Sequence, residues 1–196
     1  MYHVHKTLGF VLFESPIKEA NSFVIVFTRE LGLIKATAQG AQKISSKLRY
    51  GLQKFSLSQL SFIYGKHSWK ITNVVPQENI FYRLRENKEK MTIVGNVGAL
   101  LQRLVTGEEK NEELFDLVMN AFSFLEASIE TKDELMHFEF LFVLRILYHL
   151  GYVSGSGGLE LLAHGNEWTV ENVTALSHHK KEAVSVINRA IVESQL

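Results

Sequence analysis

Apolar and polar positions alternate along residues 7–75, and this two-residue period is typical of β-strands that have one buried face. The pattern predicts five strands, over residues 7–13, 23–28, 33–39, 55–64 and 69–75. The second strand is apolar on both faces, which predicts a central position. Pro16 and Pro76 are predicted to end the first and fifth strands, because proline cannot donate to a strand ladder. The apolar phase shifts inside the fourth strand, which indicates a β-bulge.

The connection between the third and fourth strands is long enough for one or two helical turns, around residues 46–51. Five strands with a helical insertion at this point match the OB-fold, a small Greek-key barrel that binds oligonucleotides or oligosaccharides. A five-stranded SH3-like barrel remains the alternative, because the number of strands does not separate the two.

After residue 76 the apolar period becomes helical. Asn79 and Asn111 are placed to cap helices, and Thr131 and Glu134 form a capping box that opens a long apolar helix ending near residue 150. Ser177 is predicted to cap the last helix. Residues 154–158 are predicted to be a flexible break, and residues 159–170 fit either a short helix or a hairpin. The sequence therefore predicts an α+β protein, with a five-stranded OB-fold β-barrel over residues 1–76 and an all-α helical domain over residues 77–196.

Charge divides the chain in the same place, although the whole chain of 196 residues has a formal net charge of zero. Residues 1–75 contain ten Lys and Arg but only three Glu, a net charge of +7 that leaves −7 for the remainder. A basic half and an acidic half indicate two domains with different partners.

The basic residues concentrate between the third and fourth strands, where small and hydroxyl side chains surround them and no acid interrupts. This composition is typical of a loop that contacts phosphates, although a solvated surface loop is the plainer interpretation. Three aromatic residues of the basic half, Tyr50, Tyr64 and Trp69, could stack on bases or pack in the core, and both interpretations stay open. The predicted nucleic-acid-binding residues are Lys35, Lys43, Lys47, Arg49, Lys54, Lys70, Tyr64 and Trp69.

No motif in the chain assembles an active site. There is no cysteine, which excludes disulfides, thiolate metal sites and cysteine nucleophiles. Glu134 and His137 form one Glu-x-x-His pair, whereas a di-iron bundle needs two. Ser45 and Ser46 have no nearby His or Asp to complete a relay. We therefore expect no enzymatic activity, no metal and no cofactor.

The order of residues resembles the RecO family of bacterial recombination mediators. The resemblance is carried by Gly9-Phe10-Val11-Leu12, by the run from Phe27 to Ala41, by Ser46-Lys47-Leu48 and Leu52-Gln53-Lys54-Phe55, and by Leu144 to Tyr152 near the end of the fourth helix. It covers the whole chain in order, and the order and spacing are more specific than any single fragment.

This resemblance implies a DNA-binding OB domain followed by a helical domain. RecO-like proteins bind single- and double-stranded DNA, anneal complementary strands, and act with RecR, sometimes also RecF, on strands covered by single-strand-binding protein (SSB). The family's basic surface would lie at Lys35, Lys43, Lys47 and Arg49. Many relatives have arginine where this chain has Gln39 and Gln42, a departure that weakens the expectation of DNA binding.

A second departure from the family concerns zinc. Many relatives carry a four-cysteine zinc site directly after the Leu-Gly-Tyr segment, where this chain has Ser154 to Gly158 and no cysteine. The resemblance therefore implies a helical domain without that zinc site.

Two other functions are compatible with the sequence. A protein-interaction module with incidental DNA binding would expose an apolar groove on the helical half, for example beside Phe122, Phe124 and Phe138. An oligosaccharide-binding OB domain fits the fold but not the cluster of cations. The chain shows neither a signal peptide nor a membrane span, so a cytoplasmic, nucleoid-associated location is expected.

Overall fold

The computed structural model describes residues 3–153 and 157–193. These residues form two compact units. Unit 1 comprises residues up to Glu86 together with Val105–Phe115, and unit 2 comprises Asn87–Leu104 and the residues from Asp116 onwards.

Unit 1 is built on a closed five-stranded barrel. Its strands are β1 (Val4–Ile17), β2 (Asn21–Thr28), β3 (Gly32–Ala38), β4 (Ser56–Tyr64) and β5 (Trp69–Asn79), and a short 3₁₀-helix covers Tyr50–Leu52. The strands close in the order β1-β2-β3-β5-β4, and β3 and β5 are the one parallel pair. β2 lies between β1 and β3, as its two apolar faces predict. This closed sheet confirms the predicted OB-type barrel of an α+β protein.

Neither proline ends its strand, so these two predictions were wrong. β1 continues through Pro16, which pairs with Ser22 of β2. β4 pairs only with Val4–Phe10 of β1, so Pro16 lies where β1 has a single neighbour and its missing N–H leaves no second ladder incomplete. Pro76 lies inside β5 beside a register irregularity, another position that tolerates proline.

The predicted irregularity in β4 is present, but the extra residues belong to its partner. The register between β4 and β5 shifts between Leu57 and Ser58 and again between Ser61 and Phe62. In each case β5 contributes the additional residue, Gln77 at the first shift and Thr72 at the second. Bulges of this kind increase the local twist and help a short sheet to close.

The segment Val105–Phe115 returns to the barrel and extends unit 1 beyond the predicted limit at residue 76. The Leu33 N–H donates to the Gly107 carbonyl at 3.2 Å, and the Phe115 ring lies 5.4 Å from that of Phe27. Gly32 has a φ of +66°, and a Cβ there would lie 2.5 Å from the Glu109 carbonyl oxygen. Glycine is thus required at residue 32 both by its backbone conformation and by this close approach.

Six helices accompany the barrel in the described residues. They are α1 (Ile80–Leu84), α2 (Lys88–Leu104), α3 (Glu112–Ser128), α4 (Lys132–His149), α5 (Gly157–His164) and α6 (Val170–Glu193). Three of the four predicted caps are confirmed: Asn79 accepts from Phe81 N–H, Asn111 from Leu114 N–H, and Thr131 from Glu134 N–H. None of these described helices is long and apolar enough to cross a membrane.

The start of the last helix was predicted incorrectly. α6 begins at Val170, where the Thr169 hydroxyl accepts from the Asn172 N–H at 3.2 Å, and Ser177 lies exposed inside the helix. The buried stripe that starts at Val173 and Leu176 carries the helix through the serine. The open choice over residues 159–170 is resolved as a helix up to His164. The predicted break falls on residues 154–156, which lie outside the described residues, and on the first two residues of α5.

Candidate nucleic-acid interface

The basic loop comprises residues 39–55, between β3 and β4. Its first part is tied to the turn between β1 and β2. The Gly40 N–H donates to the Asn21 side-chain oxygen at 3.0 Å, and the Gln42 N–H donates to the Ala20 carbonyl at 3.0 Å. Gly40 has a φ of +69°, a conformation that glycine adopts without strain. Ala41 between them is buried in the barrel core, so the loop leaves the sheet in a defined direction.

The second part of the loop is anchored by apolar contacts. Leu52 is buried in the barrel core and Leu48 packs against it. The 3₁₀-helix lies so close to β5 that a Cβ on Gly51 would be 2.3 Å from Val74 Cγ1. The Ser58 hydroxyl also donates to the Gly51 carbonyl at 2.8 Å. These contacts hold one side of the loop on the barrel and leave the other side to solvent.

The cations of the loop lie on its solvent side. Lys43, Lys47, Arg49 and Lys54 are all exposed. In the described part of the chain no ion pair joins any of them to an acid. Their charges are therefore not neutralised within the described structure, and the loop can attract an anionic ligand.

Two further predicted cations lie on the outer face of the sheet. Lys35 is exposed on β3, as predicted, and Lys70 is half-buried on β5. β3 and β5 are paired directly, with Thr37 opposite Lys70. The outer face of these two strands thus carries both lysines, and neither is in an ion pair within the described residues.

The two predicted aromatic contacts differ in exposure. Tyr64 is 51% exposed and available to a ligand, whereas Trp69 is 8% exposed and belongs to the barrel core. The Trp69 indole N–H donates to a Glu108 carboxylate oxygen at 2.7 Å, and His5, Phe62 and Tyr64 pack around its ring. The prediction that a base stacks on Trp69 is therefore corrected: this ring packs in the core.

Gln42, one of the two departures from the family pattern, has a local structural role. Its side-chain NH₂ donates to a Glu14 carboxylate oxygen and to the Ser22 hydroxyl, each at 2.7 Å. Gln42 therefore ties the loop to β1 and β2, and its amide is not free to contact a phosphate. Gln39 is exposed.

Three further aromatic residues are exposed: Tyr50, which the sequence left open between stacking and packing, and Phe81 and Tyr82, which sequence reasoning missed. Tyr50 begins the 3₁₀-helix, and Phe81 and Tyr82 lie on α1. The sequence carried a signal for the last two, because Ile80 and Leu84 at helical spacing already supply the buried side of α1 and leave the intervening aromatics outside it.

No group of three or more potential metal ligands comes together among the described residues. In the single Glu-x-x-His pair, Glu134 belongs to the capping box of α4. Hydrogen bonds to its carboxylate, first from the Thr131 backbone, lower the pKa of Glu134 below its usual value. The carboxylate is thus engaged at the helix start.

The apolar groove considered for a protein-interaction module is not present at the predicted residues. Phe122 and Phe138 are buried, and Phe124 is half-buried. Their rings pack with Phe142 and Trp168 in an aromatic cluster inside unit 2. These rings pack against one another between the helices, so they offer no docking surface.

The fold places this chain in the class of α+β proteins that begin with an OB-type barrel and continue into a helical region. Comparison with known protein families identifies the family within this class. The family model for the N-terminal part of recombination protein O matches residues 1–78, and the model for its C-terminal part matches residues 85–153. The chain belongs to the RecO family.

Relatives with the name DNA repair protein RecO support the assignment. The chain is 33% identical to the protein of Alkaliphilus metalliredigens over 113 residues, which are 58% of this chain and 46% of the relative. It is 29% identical to the protein of Thermodesulfovibrio yellowstonii over 151 residues, 76% of this chain and 58% of the relative. The chain thus spans about half the length of the curated relatives it matches.

Proposed function

We propose that this chain is a non-enzymatic DNA-binding protein that anneals complementary strands in recombinational DNA repair. The observation that carries the proposal is the set of exposed cations without acidic partners on the loop of an OB-type barrel. Membership of this chain in the RecO family supports the same function, because its relatives are named DNA repair proteins.

The proposed mechanism is electrostatic. Lys43, Lys47, Arg49 and Lys54 project from a loop that is held against the barrel, so binding a strand does not require the loop to fold first. Cations that neutralise phosphates on two strands reduce the repulsion between them and allow complementary bases to pair. The interface contacts backbone, so it accepts any sequence, as an annealing protein requires.

The resemblance to the RecO family is also the basis for proposing binding partners and a cellular location. We propose single- and double-stranded DNA as ligands, a RecR-like protein as the principal partner, and RecF and SSB as further partners. The proposed location is the cytoplasm, at the nucleoid, because the substrate is chromosomal DNA.

The first test is the salt dependence of DNA binding. Fluorescence anisotropy with a labelled single strand of roughly 30 bases covers several OB-sized sites. If about four to six phosphates are contacted, the slope of log affinity against log salt should be about −3 to −5. Replacing Lys43, Lys47 and Arg49 together with Ala should weaken binding to all sequences alike and reduce the magnitude of the slope by about 2 to 3.

A matched control removes the same charge elsewhere. Arg103, Lys181 and Arg189 are exposed cations of unit 2, and their joint replacement with Ala lowers the net charge equally. We expect this control to keep most of the affinity and of the annealing rate. Equal losses in the two triple variants would show that net charge, and not the loop, drives binding. An affinity that does not change with salt would overturn the proposed function.

A further inference from the structure

The exposed aromatic side chains of the described residues are unevenly distributed. Five of the described Phe, Tyr and Trp side chains are exposed and all lie in unit 1; three of them are Tyr50, Phe81 and Tyr82, which are 69%, 45% and 56% exposed. Unit 2 has no Phe, Tyr or Trp in this exposure class among its described residues, although it contains several phenylalanines. Exposed aromatic side chains grouped beside cations are typical of a binding surface.

A short chain of hydrogen bonds joins Tyr50 and Phe81 at one end of the barrel. The Ser56 hydroxyl donates to the Tyr50 carbonyl at 3.4 Å and accepts from the Asn79 side-chain NH₂ at 2.8 Å. The Asn79 side-chain oxygen in turn accepts from the Phe81 N–H at 2.9 Å. The backbones that carry Tyr50 and Phe81 are therefore held by the same two polar side chains.

Tyr82 extends this group back to the basic loop. Its hydroxyl donates to the Gln53 side-chain oxygen at 3.3 Å, so its ring lies beside the last residues of the loop. The Phe81 and Tyr82 rings are 5.7 Å apart and nearly perpendicular. Both rings are exposed, and hydrogen bonds hold the Phe81 backbone and the Tyr82 hydroxyl.

The charges around these rings favour an anionic ligand. Arg49 and Lys54 directly flank the 3₁₀-helix and Gln53, and the Asn79 side chain also donates to the Lys54 carbonyl at 3.4 Å. The nearby acids Glu78 and Glu86 are each engaged by an arginine of the same region, Arg83 and Arg85. A third acid, Glu14, lines one cleft with Arg49 and Gln53 and accepts from the Gln42 side chain. Four cations therefore lie with three acids, and the net charge beside the aromatic group is positive by one.

We propose that Tyr50, Phe81 and Tyr82 form a stacking surface for unpaired bases of a single strand whose phosphates lie on the basic loop. This inference rests on the proposed function and deepens it, because it assigns the bases, and not only the backbone, to a site. Every base has a π-face, so stacking adds affinity without adding sequence preference. Bases of a duplex are already stacked on their neighbours, so the surface selects single strands over double strands.

The test compares three labelled ligands at one salt concentration: a 30-base oligothymidine, a 30-unit abasic strand with the same backbone, and a 30-base-pair duplex. The unchanged protein should bind the oligothymidine about tenfold or more tighter than the abasic strand, because stacking contributes about 1–3 kcal/mol per base. Replacing Phe81 and Tyr82 together with Ala should abolish most of this preference and leave duplex binding unchanged. Thermal unfolding checks that the variant is folded.

Two matched variants make the result specific. Exchanging the two rings, Phe81→Tyr with Tyr82→Phe, keeps both aromatic faces and should keep the preference. Phe13→Ala removes an exposed ring on β1, which packs against Phe23, and should have no effect. An unchanged preference in the Ala double variant would overturn the stacking surface.

The outcomes separate this inference from the proposed function. If the protein binds the oligothymidine and the abasic strand equally and with the same salt slope, the basic loop binds DNA and the stacking surface is wrong. If it binds none of the three ligands, the proposed function itself fails. A variant that loses binding to all three ligands alike would show that the rings support the barrel structurally, which also overturns the inference.

Discussion

Arg145 illustrates how much a single residue of α4 depends on its surroundings. Its side chain is fully buried in unit 2, where Nε donates to the Leu162 carbonyl and Nη1 to the Glu167 carbonyl, each at 2.9 Å. The guanidinium carbon lies 4.4 Å from the centre of the Trp168 ring. Burial lowers the pKa of Arg145 to about 10, so the side chain remains charged at neutral pH. Arg145 therefore joins α4 to α5 and to the segment before α6.

We predict that Arg145→Ala lowers the free energy of unfolding by about 3 kcal/mol, because it leaves a cavity and removes the donor of one buried and one partly buried carbonyl. Arg145→Met should cost less, since methionine fills more of the volume and removes a buried charge. Urea unfolding followed by circular dichroism measures both. Arg189→Ala, at an exposed position of α6, is the control and should change stability by less than about 0.5 kcal/mol. Equal stability of Arg145→Ala and the unchanged protein would contradict this role.

The exposure of some side chains could be predicted from the sequence, whereas that of others could not. The exposed positions of Lys35, Lys43, Lys47 and Arg49 agree with their polar pattern, because a charged side chain is rarely buried without a partner. Arg145 obeys the same rule but is buried, because its partners are backbone carbonyls that no sequence pattern reveals. Trp69 was open to either interpretation from the sequence, and its burial depends on Glu108, a residue 39 positions later that accepts its N–H.

Helix starts were the most predictable feature at the scale of the element. The caps at Asn79, Asn111 and Thr131 were identified correctly, because a capping side chain acts within three residues of itself. Strand ends were less predictable. β1 and β5 continue through their prolines because proline is tolerated where one side of the strand has no partner or where the ladder is already interrupted.

The capping box of α4 provides a prediction at this scale. Thr131→Ala should lower the free energy of unfolding by about 1 kcal/mol at neutral pH, because Glu134 N–H loses its acceptor and the reciprocal bond is weakened. Thr174→Ala, at an exposed position inside α6, is the control. An identical effect of the two substitutions would show that the loss is not due to capping.

The contribution of the capping box should also depend on pH. The folded-state pKa of Glu134 is lowered, so its contribution is fully present above the unfolded-state value near 4.5 and is lost as the pH falls through the folded value. The stability difference between the unchanged protein and Thr131→Ala should therefore shrink in acid, below about pH 4.5, and stay constant between pH 6 and 8. Urea unfolding at a series of pH values measures this difference.

At the scale of the molecule, unit 1 is discontinuous in sequence. Residues 105–115 complete the barrel through Phe115, Glu108 and Gly107, and they also bring four glutamates to it. With this segment, unit 1 has thirteen Lys and Arg and nine Glu, a smaller excess of cations than residues 1–75 have alone. The structure thus reduces the charge asymmetry that the linear sequence indicates.

This discontinuity predicts how fragments behave. A fragment of residues 1–86 should be less stable than the same fragment joined by a flexible Gly/Ser linker to residues 105–115. We expect a difference of about 3 kcal/mol or more in the free energy of unfolding, because the shorter fragment lacks Phe115, whose ring packs against that of Phe27. Thermal and urea unfolding of the two fragments measure the difference. The linked fragment with Phe115→Ala is the control and should lose most of the gain. Equal stability of the two fragments would show that residues 1–86 suffice.

Features that depend on neighbouring residues could be predicted without the structure: the strands of residues 7–75, three helix caps, the helical remainder and the basic loop. Period, capping chemistry and local charge act over a few positions, so they can be recognised without a structure. The family resemblance pointed to the same OB-type barrel and helical region that the pattern predicts, and the family models agree with it.

Tertiary structure alone decided the features that join distant residues. It brought residues 105–115 back to the barrel, buried Trp69 and Arg145, packed Phe122 and Phe138 in a core, and linked the backbones of Tyr50 and Phe81 through Ser56 and Asn79. Each of these depends on contacts between segments at least 17 residues apart, for example Arg145 with Leu162. Whether an aromatic or charged side chain is exposed is a property of such contacts, and for that reason the pattern of a single segment does not specify it.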